Sequence, residues 1–269
     1  MRLLRALIYA TGSLGGLSGA AYGLLNGQSR RARMLIGQPK DLPYNADGVY
    51  LPDGTGPVAV AEALSFAVLG DSLAAGLGAE RAEALPGVRL AVGLAEEAGR
   101  PVRLVTHAVS GSRTADLAAQ IDQALIAPPD LALVIVGGND VTARSRVATS
   151  AALLGEQVSR LVAAGSTVVV GTCPDLAVIE PIPQPLRSIA SRWCLALGRA
   201  QHRELTRLGV RAVSLATLLS PEFGVRSAEL FSPDRFHPNG AGYELAAAML
   251  LAPLCDAAGM TGGHLATGA

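Results

Sequence analysis

The feature that most constrains the fold of this chain is an alternation of short apolar runs with long Ala- and Leu-rich segments, which begins at Ser65. The runs are rich in β-branched residues and nearly continuous, as in strands that are buried on both faces of a parallel sheet. They are Phe66–Leu69, Val102–Thr106, Leu131–Val136, Thr167–Thr172 and Val210–Leu215. The segments between them, predicted to be helices, are Gly87–Ala98, Thr114–Ile126, Ser145–Ala164, Pro185–Leu208 and Gly240–Ala258. This alternation predicts a three-layer α/β fold with a parallel sheet.

Charge and cysteine content exclude several classes of function. Lys plus Arg equals Asp plus Glu at 22 each, so the chain lacks the basic surplus that a nucleic-acid partner requires. The three cysteines show no Cys-x-x-Cys spacing, and an odd number of them predicts neither a zinc site nor a disulfide framework. A bridge between Cys173 and Cys194 in an oxidising compartment stays open as an alternative.

The N-terminal 27 residues have a basic start, Arg2 and Arg5, followed by an uncharged stretch from Ala6 to Leu25. This pattern is typical of a signal peptide or a single membrane anchor, so we expect a membrane-anchored or exported protein. The alternative is a helix that packs on the soluble domain, which is less favoured because the segment has no charged face. Residues 28–64 are rich in Pro and Gly and are predicted to be a linker, and residues 260–269 a flexible tail.

Three predicted strands end in polar or glycine-bearing loops, and in a parallel sheet such ends meet at one edge where ligands bind. The first strand runs into Gly70-Asp71-Ser72-Leu73, where the turn can project the Ser72 hydroxyl over that edge. The second leads into a loop with Gly111, and the third into one with Asn139. The backbone N–H groups of Ser72 and Gly111 and the Asn139 amide are therefore candidate donors to an oxyanion.

A fourth segment supplies the base that a serine nucleophile needs. Asp234 and His237 lie three residues apart, directly before the last predicted helix. A carboxylate at this spacing can accept a hydrogen bond from Nδ1 of the imidazole and leave Nε2 for the serine. We therefore predict Ser72, His237 and Asp234 to be catalytic, and we expect activity to fall when His237 is protonated at acid pH.

Taken in order, these four blocks resemble the GDSL or SGNH hydrolase family, whose marker residues would be Ser72, Gly111, Asn139 and His237. The resemblance covers residues 65–259. It implies a flavodoxin-like α/β/α fold with a five-stranded parallel sheet and metal-free hydrolysis of carboxylic esters without a cofactor. It also implies a small-molecule or lipid acyl ester as substrate, Asp234 as the group that orients His237, and Ser72, Gly111 and Asn139 as the oxyanion hole.

Other functions remain as alternatives. The same site would serve an acyltransferase or deacetylase acting on a sugar or lipid hydroxyl, since the acyl-enzyme is common to both reactions. A membrane-tethered binding module without catalysis would not need all of these groups. A glycosidase that used Asp71 and Asp140 would leave Asn139 and His237 unexplained, so these two carboxylates are predicted to brace the loops. Asp175 is expected to line the pocket, whereas His107 is interpreted as a structural histidine.

Overall fold

A six-stranded sheet forms the centre of the computed structural model, which describes residues 2–37, 42–59 and 62–260. The strands are β1 (Gly48–Tyr50), β2 (Leu64–Gly70), β3 (Val102–Thr106), β4 (Leu131–Ile135), β5 (Thr167–Thr172) and β6 (Arg211–Ser214). Their spatial order is β1-β3-β2-β4-β5-β6, and every neighbouring pair is parallel except the antiparallel pair β1 and β3. The predicted α/β class is confirmed.

The helices lie on both faces of this sheet. They are α1 (Arg2–Ile36), α2 (Ser72–Ala75), α3 (Pro86–Ala98), α4 (Leu117–Ala124), α5 (Gly138–Thr142), α6 (Val147–Ala163), α7 (Leu186–Arg207), α8 (Leu215–Val225), α9 (Ser227–Leu230) and α10 (Gly240–Ala257). Short 3₁₀ turns cover Ala82–Ala84, Thr114–Asp116 and Leu176–Val178. All five predicted strands and all five predicted helices are present, with ends shifted by a few residues. The strands are recognisable as short continuous apolar runs, and the helices as longer segments between them.

Alternate residues of β2 divide the interior into two apolar cores. Phe66 and Val68 face a core that α3, α8 and α10 cover. Ala67 and Leu69 face the opposite core, which α4 and α6 cover together with the end of α7. Since successive strand side chains point to opposite faces, a central strand must be apolar at every position, which is the pattern seen in the sequence.

The prediction of a five-stranded sheet is wrong, because β1 adds a sixth strand. It pairs with β3 through Gly48 opposite Leu104 and Tyr50 opposite Val102. A strand of three residues is too short to show a period of two, and the glycines and prolines around it are typical of a linker. The segment 28–64, predicted to be a linker, thus contains the end of α1 and all of β1, and β2 begins at its last residue.

Helix α1 runs through the predicted boundary between residues 27 and 28 without a break. Its second half lies against the rest of the protein, where the Gln28 side chain accepts a hydrogen bond from the Leu186 N–H at 3.0 Å and donates one to the Gln184 carbonyl at 2.5 Å. Ala32 is buried among residues of α5 and α7. In the part of the chain that the structure describes, no helix has the length and hydropathy to span a membrane. Of the predicted tail, only Met260 lies within the described residues.

The site lies where the order of the strands reverses. Strand β2 pairs with β3 on one side and with β4 on the other, so the loops that follow these strands diverge at its carboxyl end. In parallel sheets such a divergence leaves a crevice for ligands. The loops at this point are the ones predicted to carry Ser72, Gly111 and Asn139.

Candidate active site

Ser72 begins helix α2 directly after a turn that only glycine permits. Gly70 has a φ of 134°, and a Cβ there would lie 1.8 Å from the Ile135 carbonyl oxygen. The chain therefore leaves β2 sharply, with β4 packed tightly beside it. Asp71 caps α2 by accepting the Leu73 N–H at 3.0 Å. This turn sets the position of the Ser72 hydroxyl at the edge of the sheet.

The structure brings the three predicted catalytic residues together. The distance from His237 Nε2 to Ser72 Oγ is 3.1 Å, and that from His237 Nδ1 to Asp234 Oδ2 is 2.6 Å. Ser72 and His237 are 165 residues apart in the chain, so the fold alone makes this contact. Both distances are within hydrogen-bond range, and the arrangement matches the order of contacts in a serine nucleophile activated by an oriented base.

Asp234 is held by a dense set of hydrogen bonds. Its Oδ1 accepts the backbone N–H groups of Phe236 at 2.8 Å and His237 at 2.9 Å, and the Ser232 hydroxyl at 2.8 Å. Burial opposes ionisation of this carboxyl group, but the bonds from the His237 side chain and from these backbone groups lower its pKa to about 2. Asp234 is therefore a carboxylate at any pH near neutrality, as a partner of His237 Nδ1–H must be.

The backbone between these two residues takes an unusual path. Arg235 has a φ of 55°, in the left-handed region, which lets the chain curl so that the Ser232 N–H reaches the His237 carbonyl at 2.8 Å. The Phe236 ring packs edge-on against the His237 ring with centroids 4.8 Å apart. The imidazole is thus fixed by an aromatic neighbour as well as by Asp234.

The candidate oxyanion donors lie on the neighbouring loops. Asn139 is in the first turn of α5, and its side-chain Nδ2 donates to the Ser112 carbonyl at 3.0 Å. This bond uses one of the two amide hydrogens and orients the other. Gly111 has a φ of 86°, but a Cβ there would meet no atom within 4 Å. The loop thus needs glycine at this position for its backbone conformation, whereas the surrounding space would admit a side chain.

Two buried carboxylates brace the loops. Asp140 accepts the Thr114 N–H at 2.9 Å, the Thr114 hydroxyl at 3.0 Å and the Ser150 hydroxyl at 2.7 Å. Burial raises the pKa of Asp71 to about 7, although the Leu73 N–H and His237 favour its charged form. The hydrogen bonds of both carboxylates go to neighbouring loop and helix residues, as the sequence predicts, and none of these bonds involves Ser72 Oγ.

Sequence reasoning missed two buried glutamines that hold the strand ends. Gln120 accepts the Gly70 N–H and donates to the Gly70 carbonyl, both at 2.8 Å. Gln201 accepts the Cys173 N–H at 2.7 Å and donates to the Val136 carbonyl at 3.1 Å. The signal was available, because each glutamine interrupts the apolar stripe of its helix at a position where a core residue is expected.

A small apolar pocket of about 90 Å³ lies beside Ser72 and His237. Its walls include Leu215, Leu219 and Phe223 of α8, a helix that was not predicted. Asp175 also lines the pocket, as predicted, and its carboxylate caps a turn by accepting the Ala177 N–H at 2.9 Å. Such a pocket, with few polar groups near a nucleophile, is suited to an apolar portion of a substrate.

His107, interpreted from the sequence as a structural histidine, lies away from the pocket at Ser72. It is half-buried, and burial lowers its pKa, so it is neutral near pH 7. Its backbone N–H donates to the Val68 carbonyl at 2.8 Å, and it does not line the pocket at Ser72. Within the described ranges, no group of three His, Cys, Asp or Glu side chains has the arrangement of a metal site.

Comparison with known proteins assigns the family. Residues 68–245 match the GDSL-like lipase/acylhydrolase family. The chain is 42% identical over 251 residues to the GDSL-like esterase Rv1075c of Mycobacterium tuberculosis, which covers 89% of this chain and 80% of that protein. The predicted resemblance to this family is confirmed.

Solved structures share the fold at low sequence identity. A TesA crystal structure matches with a TM-score of 0.60 and 22% identity, covering 72% of this chain and 99% of that one. A mutant of Axe2, an acetyl-xylooligosaccharide esterase from Geobacillus, matches with a TM-score of 0.58 and 19% identity, covering 71% and 93%. The predicted α/β arrangement is thus shared with known structures, while the family match and the Mycobacterium relative indicate the chemistry. This chain belongs to the GDSL-like lipase/acylhydrolase family and is a serine ester hydrolase.

Proposed function

We propose that this protein cleaves carboxylic esters through an acyl-enzyme on Ser72, with His237 as general base and Asp234 as its orienting carboxylate. The observation that carries the proposal is the continuous chain of contacts from Asp234 Oδ2 through both ring nitrogens of His237 to Ser72 Oγ, at 2.6 and 3.1 Å. A lone serine, histidine or aspartate at this edge would have many structural explanations. Their mutual geometry favours nucleophilic catalysis.

In the acylation step, the Ser72 hydroxyl gives its proton to His237 Nε2 while Oγ forms a bond to the ester carbonyl carbon. The carbonyl π electrons move onto oxygen, and the imidazolium is stabilised by the Asp234 carboxylate at Nδ1–H. When the C–O bond of the tetrahedral intermediate breaks, His237 Nε2 returns the proton to the leaving alkoxide. A water molecule then repeats the sequence on the acyl-enzyme and releases the acid.

The developing oxyanion would be bound by the N–H groups of Ser72 and Gly111 and by Asn139 Nδ2. The bond from Asn139 to the Ser112 carbonyl, at 3.0 Å, supports this role because it fixes the amide before substrate arrives. Preorganised donors need no reorientation during the reaction, and the loss of one typically lowers kcat by 10²–10³.

The direct test is turnover of 4-nitrophenyl acetate and butyrate by Ser72→Ala, together with labelling by a serine-directed phosphonate. We expect loss of at least about 10³-fold in kcat and no labelled protein, since the residue removed is the nucleophile. Ser110→Ala, which removes an exposed hydroxyl from the loop before Gly111, is the matched control and should keep its activity. Undiminished turnover or labelling of Ser72→Ala would refute the proposal. Product analysis with a competing alcohol tells whether water or a hydroxyl accepts the acyl group.

Attachment to a membrane or export through the N-terminal segment is also a proposal, supported by the basic start and the uncharged stretch from Ala6 to Leu25. Fractionation of cells that express the full chain tests it. We expect the protein in the membrane or extracellular fraction, whereas a purely cytosolic protein would rule it out.

A further inference from the structure

A second, larger cleft adjoins the site and is closed on one side by α1. Its volume is about 690 Å³, several times that of the pocket at Ser72, and it lies between the second half of α1 and the face formed by α5 and α7. Ser29 and Arg33 line it from α1, and Trp193 from α7. The volume is within the range of clefts that bind small organic ligands.

The cleft is continuous with the oxyanion side of the active site. Asn139, Leu176 and Phe236 line both the cleft and the pocket at Ser72. Gly111, the other predicted oxyanion donor from a neighbouring loop, lines the cleft as well. An ester whose carbonyl oxygen lies at these donors therefore has two directions in which its arms can extend, one into the apolar pocket and one into the cleft.

Helix α1 is seated firmly enough to act as a wall. Besides the two bonds of Gln28 to the start of α7, the Asn26 side chain accepts a hydrogen bond from the Arg144 guanidinium at 2.9 Å. Ala32 is 6% exposed and belongs to a cluster with Val141 and Leu176. Hydrogen bonds at Asn26 and Gln28 and apolar packing at Ala32 therefore hold the second half of α1 against the rest of the protein.

The cleft is lined by charges of one sign. Arg33 projects from α1, and Arg113 and Arg144 from the loops opposite, while no Asp or Glu is among the described residues that line it. Arg113 forms a salt bridge with Asp116 at 3.5 Å, and Asp116 does not line the cleft. Among the described residues, the Arg33 side chain donates a hydrogen bond only to the neutral Ser29 hydroxyl, at 3.1 Å. A cleft lined by cations concentrates anionic ligands.

We infer that this cleft binds one arm of the ester substrate and that this arm carries an anionic group, a carboxylate or phosphate, which pairs with Arg33 and its arginine neighbours. The apolar floor around Trp193 and Leu176 binds the carbon chain of that arm. The inference rests on the proposed function, because it takes Asn139 as the point where the substrate carbonyl lies. It makes α1 a substrate-binding element.

The test compares anionic and neutral esters in two matched pairs. In the first, the charge is on the acyl arm, with the 4-nitrophenyl monoester of glutarate against 4-nitrophenyl butyrate. In the second, it is on the alcohol arm, with 4-carboxyphenyl butyrate against its methyl ester. The measured quantity is the ratio of kcat/KM for the anionic member to that for the neutral member, in the full-length protein.

We expect Arg33→Glu to lower this ratio by about threefold to tenfold in at least one pair, as befits a partly exposed charge whose sign is reversed. Arg30→Glu changes the net charge equally on the same helix but does not line the cleft, so its ratio should stay within about twofold of the original. The effect of Arg33→Glu should also weaken as salt is added. Arg113→Gln, on the opposite wall, should lower the same ratio without any change in α1, so it tests the inference even if Arg33→Glu disturbs that helix.

Equal effects of Arg33→Glu and Arg30→Glu, or no effect in either pair, would overturn the inference while leaving the esterase proposal intact. Absence of Ser72-dependent turnover of the neutral esters would overturn both. The responsive pair is then repeated with a phosphate in place of the carboxylate, and a larger fall of the ratio with phosphate than with carboxylate identifies phosphate as the preferred anion.

Discussion

The side-chain amide of Gln120 satisfies both backbone polar groups of Gly70, accepting from its N–H and donating to its carbonyl at 2.8 Å each. The same Nε2 also donates to Ser112 Oγ at 3.1 Å. One buried side chain on α4 therefore joins the turn that precedes the candidate nucleophile to the loop that carries Gly111. The two loops are positioned relative to one another by this amide.

Replacing Gln120 by Leu should destabilise the fold and lower activity together. The substitution leaves the Gly70 N–H buried without its partner, at a cost of about 1–3 kcal/mol. The Gly70 carbonyl keeps the hydrogen bond that it accepts from the Val109 N–H at 3.1 Å. Urea unfolding measures the change in the free energy of unfolding, and kcat of the folded fraction measures the effect on the site. Gln123→Leu, at an exposed position of the same helix, should change the free energy of unfolding by less than about 0.5 kcal/mol and kcat by less than about twofold. A stable, fully active Gln120→Leu would contradict this role.

Asp234→Asn should lower kcat by about 10²–10⁴ without a comparable rise in KM. The amide would present a donor to Nδ1 of His237 and favour the tautomer in which Nε2 carries the hydrogen, so Nε2 could no longer accept the Ser72 proton. Ser232→Ala removes only one of the bonds to Oδ1 and should cost about tenfold or less. Steady-state kinetics of the two variants, with thermal unfolding as a check of the fold, would show the difference. Similar losses in both would mean that Asp234 acts only by holding the turn.

Asn139→Ala should lower kcat by about 10²–10³ with little change in KM, because the amide acts on charge that develops in the transition state. Thr142→Val, which removes a hydroxyl that donates to the Asn139 carbonyl at 3.1 Å, tests whether the backbone of this turn matters independently. Its effect should be small. If Asn139→Ala raises KM and leaves kcat unchanged, the side chain binds the ground state and does not stabilise an oxyanion.

Asp71 should make the protein less stable as the pH rises. Burial raises its pKa to about 7 in the folded protein, whereas an unfolded aspartate titrates near about 3.9. The folded state therefore binds more protons between about pH 4 and 7, so the free energy of unfolding falls across this window, by up to about 4 kcal/mol. Asp71→Asn should remove this slope, which urea unfolding at pH 5 and pH 8 can measure. An unchanged slope in the variant would show that Asp71 ionises freely in the folded protein.

The elements that could be predicted from sequence are those whose apolar pattern is long enough to show their burial. The five parallel strands are apolar runs separated by long helical segments, and Ser72, Gly111 and Asn139 lie in the loops that follow three of them. Strand β1 was missed because three residues carry no period, and α8 because its apolar residues follow β6 without a break and resemble its continuation. The position of Gln120 in the apolar stripe of its helix marks it as unusual, but its contact could not be predicted, because Gly70 lies 50 residues away and only the fold brings the two together.

The short strand β1 extends the cooperative folding unit well before Ser65. The Asp47 carboxylate, beside this strand, accepts the Thr106 N–H at 3.0 Å, where β3 ends and the loop toward Gly111 begins. Tyr50 is 3% exposed and closes the core beneath the same strand. Loss of β1 by proteolysis would therefore expose the outer edge of β3 and free one end of the loop that leads to Gly111 and borders the candidate nucleophile.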